Sequence, residues 1–178
     1  MKKIILYFFL LLSIGCLTSC SPPPKPKHVD PFYNINLNEA PVRFPLIKPM
    51  EVVYVNSWYL DLPSRYILLD AVPNTEVLTY NVYDSFHGLE NFAIENRIIM
   101  INSSGIDKKI DMHTPTPGNY YYWFVIDLNQ EISKGFYTEA EFLEYIQMLG
   151  ISAPNWQTPD EAYEQFKRTG CLKWIPDC

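Results

Sequence analysis

The sequence predicts an α+β fold: a mainly antiparallel sheet of about five strands, followed by two C-terminal helices packed on it. Three observations predict it. Glu76 to Tyr83 alternates, with Leu78, Tyr80 and Val82 on one face and Thr79 and Asn81 on the other, the period of a half-buried strand. After Thr138 the apolar period changes to that of a helix. Strand patterns come first and helical ones last, an order that suits helices on an antiparallel sheet.

Taken in order, residues 28–50 carry Pro31, Pro41, Pro45 and Pro49 and read as an irregular, extended lead-in. Val52 to Leu62, rich in Val, Tyr and Trp, reads as a strand ended by Pro63, and Tyr66 to Val72 as another ended by Pro73. Asp84 to Gly88 reads as a loop, and Phe92 to Asn102, with Ile98 to Ile101, as a strand. Turns are expected at 102–105 and at 113–119. Tyr120 to Ile126 is apolar on both faces and belongs at the centre of a sheet. Asp127 to Glu131 has the acidic spacing of a calcium loop start, but Ile132 and Thr138 stand where glycine and glutamate are needed, so it reads as a turn.

The first helix opens on Thr138-Glu139-Ala140-Glu141, a capping box, and continues with Phe142, Tyr145, Ile146 and Leu149 up to Gly150. The second opens on Thr158-Pro159-Asp160-Glu161, with proline at the first helical position. It should bury Ala162, Tyr163 and Phe166, pair Glu164 with Arg168, and stop at Gly170.

The N-terminus carries an address. Lys2 and Lys3 precede the apolar run Ile4 to Leu12, which is too short for an ordinary membrane span. Leu17-Thr18-Ser19-Cys20 follows and resembles the lipobox of bacterial lipoproteins. The resemblance implies lipidation of Cys20, which becomes the mature N-terminus. Ser13-Ile14-Gly15-Cys16 is a rival box without the usual leucine. Ser21-Pro22-Pro23-Pro24-Lys25-Pro26-Lys27 then reads as a stiff tether. The expected organisation is a signal peptide at 1–19, a lipidated Cys20 with a Pro-rich tether over 20–32, and a single domain at 33–178. The expected location is a bacterial membrane reached through the lipid. Ser21 is not the aspartate that retains lipoproteins at an inner membrane, which favours the periplasmic face of an outer membrane. In a single-membrane cell it would be the outer face of the plasma membrane.

The chain has 178 residues, 48% hydrophobic, with a net charge of -6. That is too apolar for a disordered chain and too acidic for a nucleic-acid binder. Loss of residues 1–19 removes Lys2 and Lys3 from the 14 bases, so 12 bases then face 20 acids. Asp127, Glu131, Glu139, Glu141, Glu144, Asp160, Glu161 and Glu164 fall in a segment whose one base is Lys134. Such a face is a solvated helix surface or attracts a basic protein partner. Glu139, Glu141, Glu144 and Trp156 are the candidate contact residues. The aromatics Trp58, Tyr59 and Tyr121 are further candidates, with packing as the alternative for each. Cys171 and Cys178 form an even pair, and an oxidising compartment permits a disulfide between them.

Chemistry is sparse. The 7 glycines are scattered, which excludes a phosphate-cradling loop and a dinucleotide fingerprint, and there is no Gly-x-Ser-x-Gly elbow. His28, His87 and His113 are far apart, and two sulfurs with no histidine near them in sequence do not make a zinc site, so no metal and no cofactor is expected. Asp84, Ser85 and His87 hold the residue types of a hydrolytic site, but sequence neighbours rarely reach its geometry.

The aromatic strand ending Val125-Ile126-Asp127, followed by Gly135-Phe136-Tyr137-Thr138-Glu139-Ala140-Glu141-Phe142, is similar to small uncharacterised bacterial lipoprotein domains, with Phe136 where proline often stands. That resemblance implies no active site. Some lipoproteins of this size are immunity proteins against toxins, an analogy at the level of fold and size. The expected function is a membrane-anchored, non-enzymatic protein-binding module of the cell envelope, an immunity or inhibitor protein being one specific version. The alternatives are an envelope hydrolase using Asp84, His87 or Asp127, and a structural role in envelope assembly.

Overall fold

The computed structural model describes residues 24–71, 80–104 and 121–178. Cys16, Cys20 and the lipobox, His113 and the turn at 113–119 lie outside the described residues. The fold is α+β. The strands are β1 (Val42–Pro45), β2 (Glu51–Tyr54), β3 (Trp58–Asp61), β4 (Leu68–Ala71), β5 (Tyr80–Tyr83), β6 (Ser85–His87), β7 (Leu89–Glu95), β8 (Ile98–Ser103), β9 (Trp123–Asp127) and β10 (Ile132–Phe136). Helices α1 (Glu139–Met148) and α2 (Pro159–Thr169) follow. All strand pairs are antiparallel and form one four-stranded sheet, β1-β2-β3-β6, a second, β10-β9-β8-β7, and the ribbon β4-β5.

The second sheet is the middle layer. On one face Phe92, Ile94, Ile99, Ile101, Phe124 and Ile126 join Phe44, Val52, Leu60 and Phe86 of the first sheet, with Ala162 and Phe166 of α2, in one core. On the other face Ala93, Ile98, Met100, Val125 and Phe136 meet Phe142 and Ile146 of α1. Alternate residues of one strand thus serve two cores, so β8 and β9 read as unbroken apolar runs. β9 lies inside the sheet, where its sequence places it.

Strands are more numerous than expected because two long apolar stretches are hairpins. Val52 to Leu62 folds back between Tyr54 and Trp58. Phe92 to Asn102 reverses at Asn96 (φ 49°) and Arg97 (φ 64°), the left-handed pair of a tight two-residue turn. Arginine seldom takes that conformation, so the turn leaves a weak signal. Asp84 to Gly88 is not only a loop: Ser85–His87 pairs with β3, Tyr59 opposite His87 and Asp61 opposite Ser85. The lead-in also contributes structure. β1 pairs with β2, its edge position tolerating Pro45, and His28 and Tyr33 are buried. The folded body therefore starts ahead of residue 33, by His28.

The first helix opens on the expected capping box, Thr138/Glu141, and the second, with Pro159 at its start as expected, has a reciprocal box of its own at Thr158/Glu161. They are followed by glycines in the left-handed region, Gly150 (φ 81°) and Gly170 (φ 71°). Glu164 pairs with Lys167 at 3.3 Å rather than with Arg168. Positions three and four residues on are both within reach of a helical glutamate, and Lys167 is the one that also lies over the Tyr163 ring. Gln157, between the helices, exchanges two 3.0 Å backbone hydrogen bonds with Phe92 on edge strand β7. Cys171 and Cys178 are bonded, with Cα atoms 5.6 Å apart. The loop they close buries Leu172 and Ile175, and Trp174 Nε1 donates to the Pro45 carbonyl at 3.1 Å.

Candidate functional site

An open surface groove lies between β10 and α1. On α1, Phe142 and Ile146 face the core, while Glu141, Glu144, Tyr145 and Met148 recur at helical spacing on another stripe. With Tyr121, Lys134 and Tyr137 they line an open groove of about 420 Å³. Its floor depends on Gly135. A Cβ there would meet the Tyr121 ring at 2.3 Å, so the missing side chain lets the ring lie on the strand backbone. Tyr121 also packs on Tyr137, ring centroids 4.5 Å apart. Lys134 Nζ sits 4.2 Å from the Tyr145 ring centroid and 5.3 Å from that of Phe136. The groove's cation is therefore held over rings and does not meet the acids. Met148 is 70% exposed.

The acidic segment resolves into individual tasks. Asp127 is buried and accepts from the amides of Asn129 (2.8 Å) and Gln130 (3.2 Å), fixing the β9–β10 turn. Glu131 pairs with Arg65 at 2.7 Å. Glu141 accepts from the amide and hydroxyl of Thr138. Asp160 accepts from Trp58 Nε1 at 2.8 Å. Glu161 accepts from the Thr158 amide, and that amide and hydroxyl hold its carboxyl below the usual range. Glu164 pairs with Lys167. Glu139 and Glu144 remain, exposed on α1 with no hydrogen bond or ion pair among the described residues.

The aromatic candidates divide. Trp58 is buried against Phe44 and Tyr163. Trp156 is half-buried, with ring centroids 5.8 Å from Trp123 and 5.9 Å from Phe142, so it packs the second core from the side. Tyr59 stacks on His87 at 5.4 Å, and burial, then Asp61, push its phenol above the ordinary range. Tyr121 is the one that reaches the groove.

The hydrolytic candidates come partly together. Ser85 Oγ lies 3.0 Å from His87 Nε2 and donates to Asp84 Oδ1 at 3.2 Å. A hydroxyl has one proton, so Ser85 donates either to Asp84 or to His87, and the imidazole tautomer sets the direction of the second contact. Asp127 does not join this pair. It lies opposite Ile98 at one end of β8, while Ser103 at the other end donates to the His87 carbonyl.

One cluster is invisible in the sequence. His28, Cys171 and Cys178 lie together, although His28 and its hydrogen-bond partner Gly170 are 142 residues apart in the chain. No spacing rule connects positions so remote. Comparison with protein-family models, with curated proteins and with solved structures finds no match for this chain.

Proposed function

We propose that this chain is an exported lipoprotein, anchored through Cys20, whose domain is a non-enzymatic protein-binding module that takes a basic partner at the β10–α1 groove. The observation that carries the reading is the contrast among the acids. Six of the eight in the acidic segment have an internal partner, while Glu139 and Glu144 have none among the described residues; Glu144 lines the groove one turn before exposed Met148, and Glu139 stands in the first turn of the same helix, outside the groove lining. An unspent carboxylate next to aromatic and thioether surface suits a segment carrying Lys or Arg among apolar residues. An immunity or inhibitor protein against a basic effector would use such a surface.

The test has two parts. Metabolic labelling with an acyl-chain analogue should mark the wild-type chain and leave Cys20→Ala unmarked; equal labelling removes the anchor. A photo-crosslinker placed at Met148 in intact cells should join a discrete partner through a peptide rich in Lys or Arg. Glu144→Lys should abolish the product while leaving stability within about 0.5 kcal/mol. A crosslink indifferent to the charge reversal, or none at all, removes the groove as the contact surface.

A further inference from the structure

Residues from the two ends of the folded body meet at one buried imidazole. A ring nitrogen of His28 and the sulfurs of Cys171 and Cys178 lie within 4.8 Å of one another. The His28 side chain is 4% exposed, and its Nε2 stands 2.8 Å from the Gly170 carbonyl oxygen. A carbonyl only accepts, so Nε2 carries the proton and Nδ1 keeps a bare lone pair. Nδ1 is buried and has no hydrogen-bond partner. A buried acceptor without a partner is uncommon, and it calls for a use of the lone pair. A backbone carbonyl that takes the N–H on the far side of the ring is also the support that orients metal-binding imidazoles.

The geometry points to a redox-gated metal site, in which the thiolates of Cys171 and Cys178 and Nδ1 of His28 bind one thiophilic cation, Cu(I) or Zn(II). Two sulfurs and one imidazole are a soft donor set for such ions, and they leave Zn(II) a fourth position for water. In the disulfide form neither sulfur is a thiolate and the site is closed. A dithiol reductant opens it. Its two thiols pass two electrons and two protons to the Cys171–Cys178 bond, which breaks into two thiols, and the reductant leaves as a disulfide. Cation binding then releases both thiol protons to solvent, while His28 releases none because Nδ1 is already bare. A cavity of about 230 Å³ lies on the His28 side of the cluster, lined also by Tyr33 and Phe166. The site is independent of the groove and stands where the expected tether joins the domain.

The full chain in detergent tests this, as the disulfide and after reduction with a phosphine that is then removed. Zn(II) and Cu(I) are titrated separately against chromophoric chelators. The expected result is one cation per chain in the reduced form, none in the oxidised form, and two protons released per Zn(II). His28→Ala should weaken binding about tenfold or more, and Cys178→Ser should abolish it. No uptake by the reduced chain, or equal affinity in His28→Ala, overturns the proposal. So does loss of the fold on reduction, read by circular dichroism, that neither cation restores. A readout without variants is the ¹⁵N shift of His28 Nδ1: it should move when Zn(II) meets the reduced chain, and an unmoved signal also overturns the assignment.

Discussion

The two helices make an instructive pair. Each opens on the same Thr-x-x-Glu capping box and is followed by a glycine in the left-handed region. Beyond that they diverge. α2 has Asp160 and Glu161 in its first turn and Lys167 and Arg168 in its last, matching the helix dipole at both ends. Its Asp160 and Glu164 also find partners. α1 has acids in its first turn, no base in its last, and two glutamates without a partner among the described residues. Identical local grammar thus produces one helix that completes its own electrostatics and one that leaves charge and apolar surface on view. The second kind has something left to offer a partner.

The comparison can be broken most sharply at the cores. Phe166 of α2 belongs to the core that the two sheets share and Phe142 of α1 lies under the middle sheet's other face, and both are almost fully buried. Each replaced by alanine should cost about 3–5 kcal/mol in denaturant melts. A Phe142→Ala cost below about 1 kcal/mol would mean that α1 is not held as part of the core. The caps come next. Thr138→Ala and Thr158→Ala should each cost about 1 kcal/mol and add in the double variant, because the caps sit on separate helices. Unequal costs would show that the two boxes are alike in sequence only.

The smallest effect is expected from acid. Glu161 is held below the usual carboxylate range by the Thr158 amide and hydroxyl, and Asp30 by the Lys48 ammonium and the Phe32 amide. A lowered folded-state pKa contributes stability above the unfolded value and loses it as pH falls through the folded one. Denaturant midpoints should therefore drop between about pH 5 and pH 3, and Glu161→Gln should flatten part of that slope. A profile unchanged by the substitution would take the α2 cap out of the acid response.

What was legible in the chain follows from how local the information is. Both helices, their caps and their stops were readable because a capping box and a terminal glycine act within a few residues. The central position of β9 was readable because apolar residues on both faces allow little else. The β7–β8 hairpin was hidden because its turn uses Arg97 at positive φ, without a Gly or Asn-Gly signal. β6 was hidden because three residues paired to a distant strand carry no period of their own. At the candidate site, the stripe of Glu141, Glu144 and Met148 follows from helical spacing. Its other wall, Tyr121 lying over Gly135, depends on a tertiary contact, and so does the meeting of His28 with the C-terminal loop.

The approach of Lys25 to Gly170 sets an orientation. A Cβ on Gly170 would stand 3.1 Å from the Lys25 side chain, so the start of the described chain is laid against the end of α2, and the disulfide loop follows directly. Lys25 and the C-terminal disulfide loop therefore share one pole of the domain. With Cys20 as the anchor, the five steps to Lys25 span at most about 18 Å. If Cys20 carries the lipid as proposed, that leash would hold the shared pole close to the headgroups. A fusion partner added after Cys178 would compete with the bilayer for the same space, while an insertion at a loop away from that pole would not.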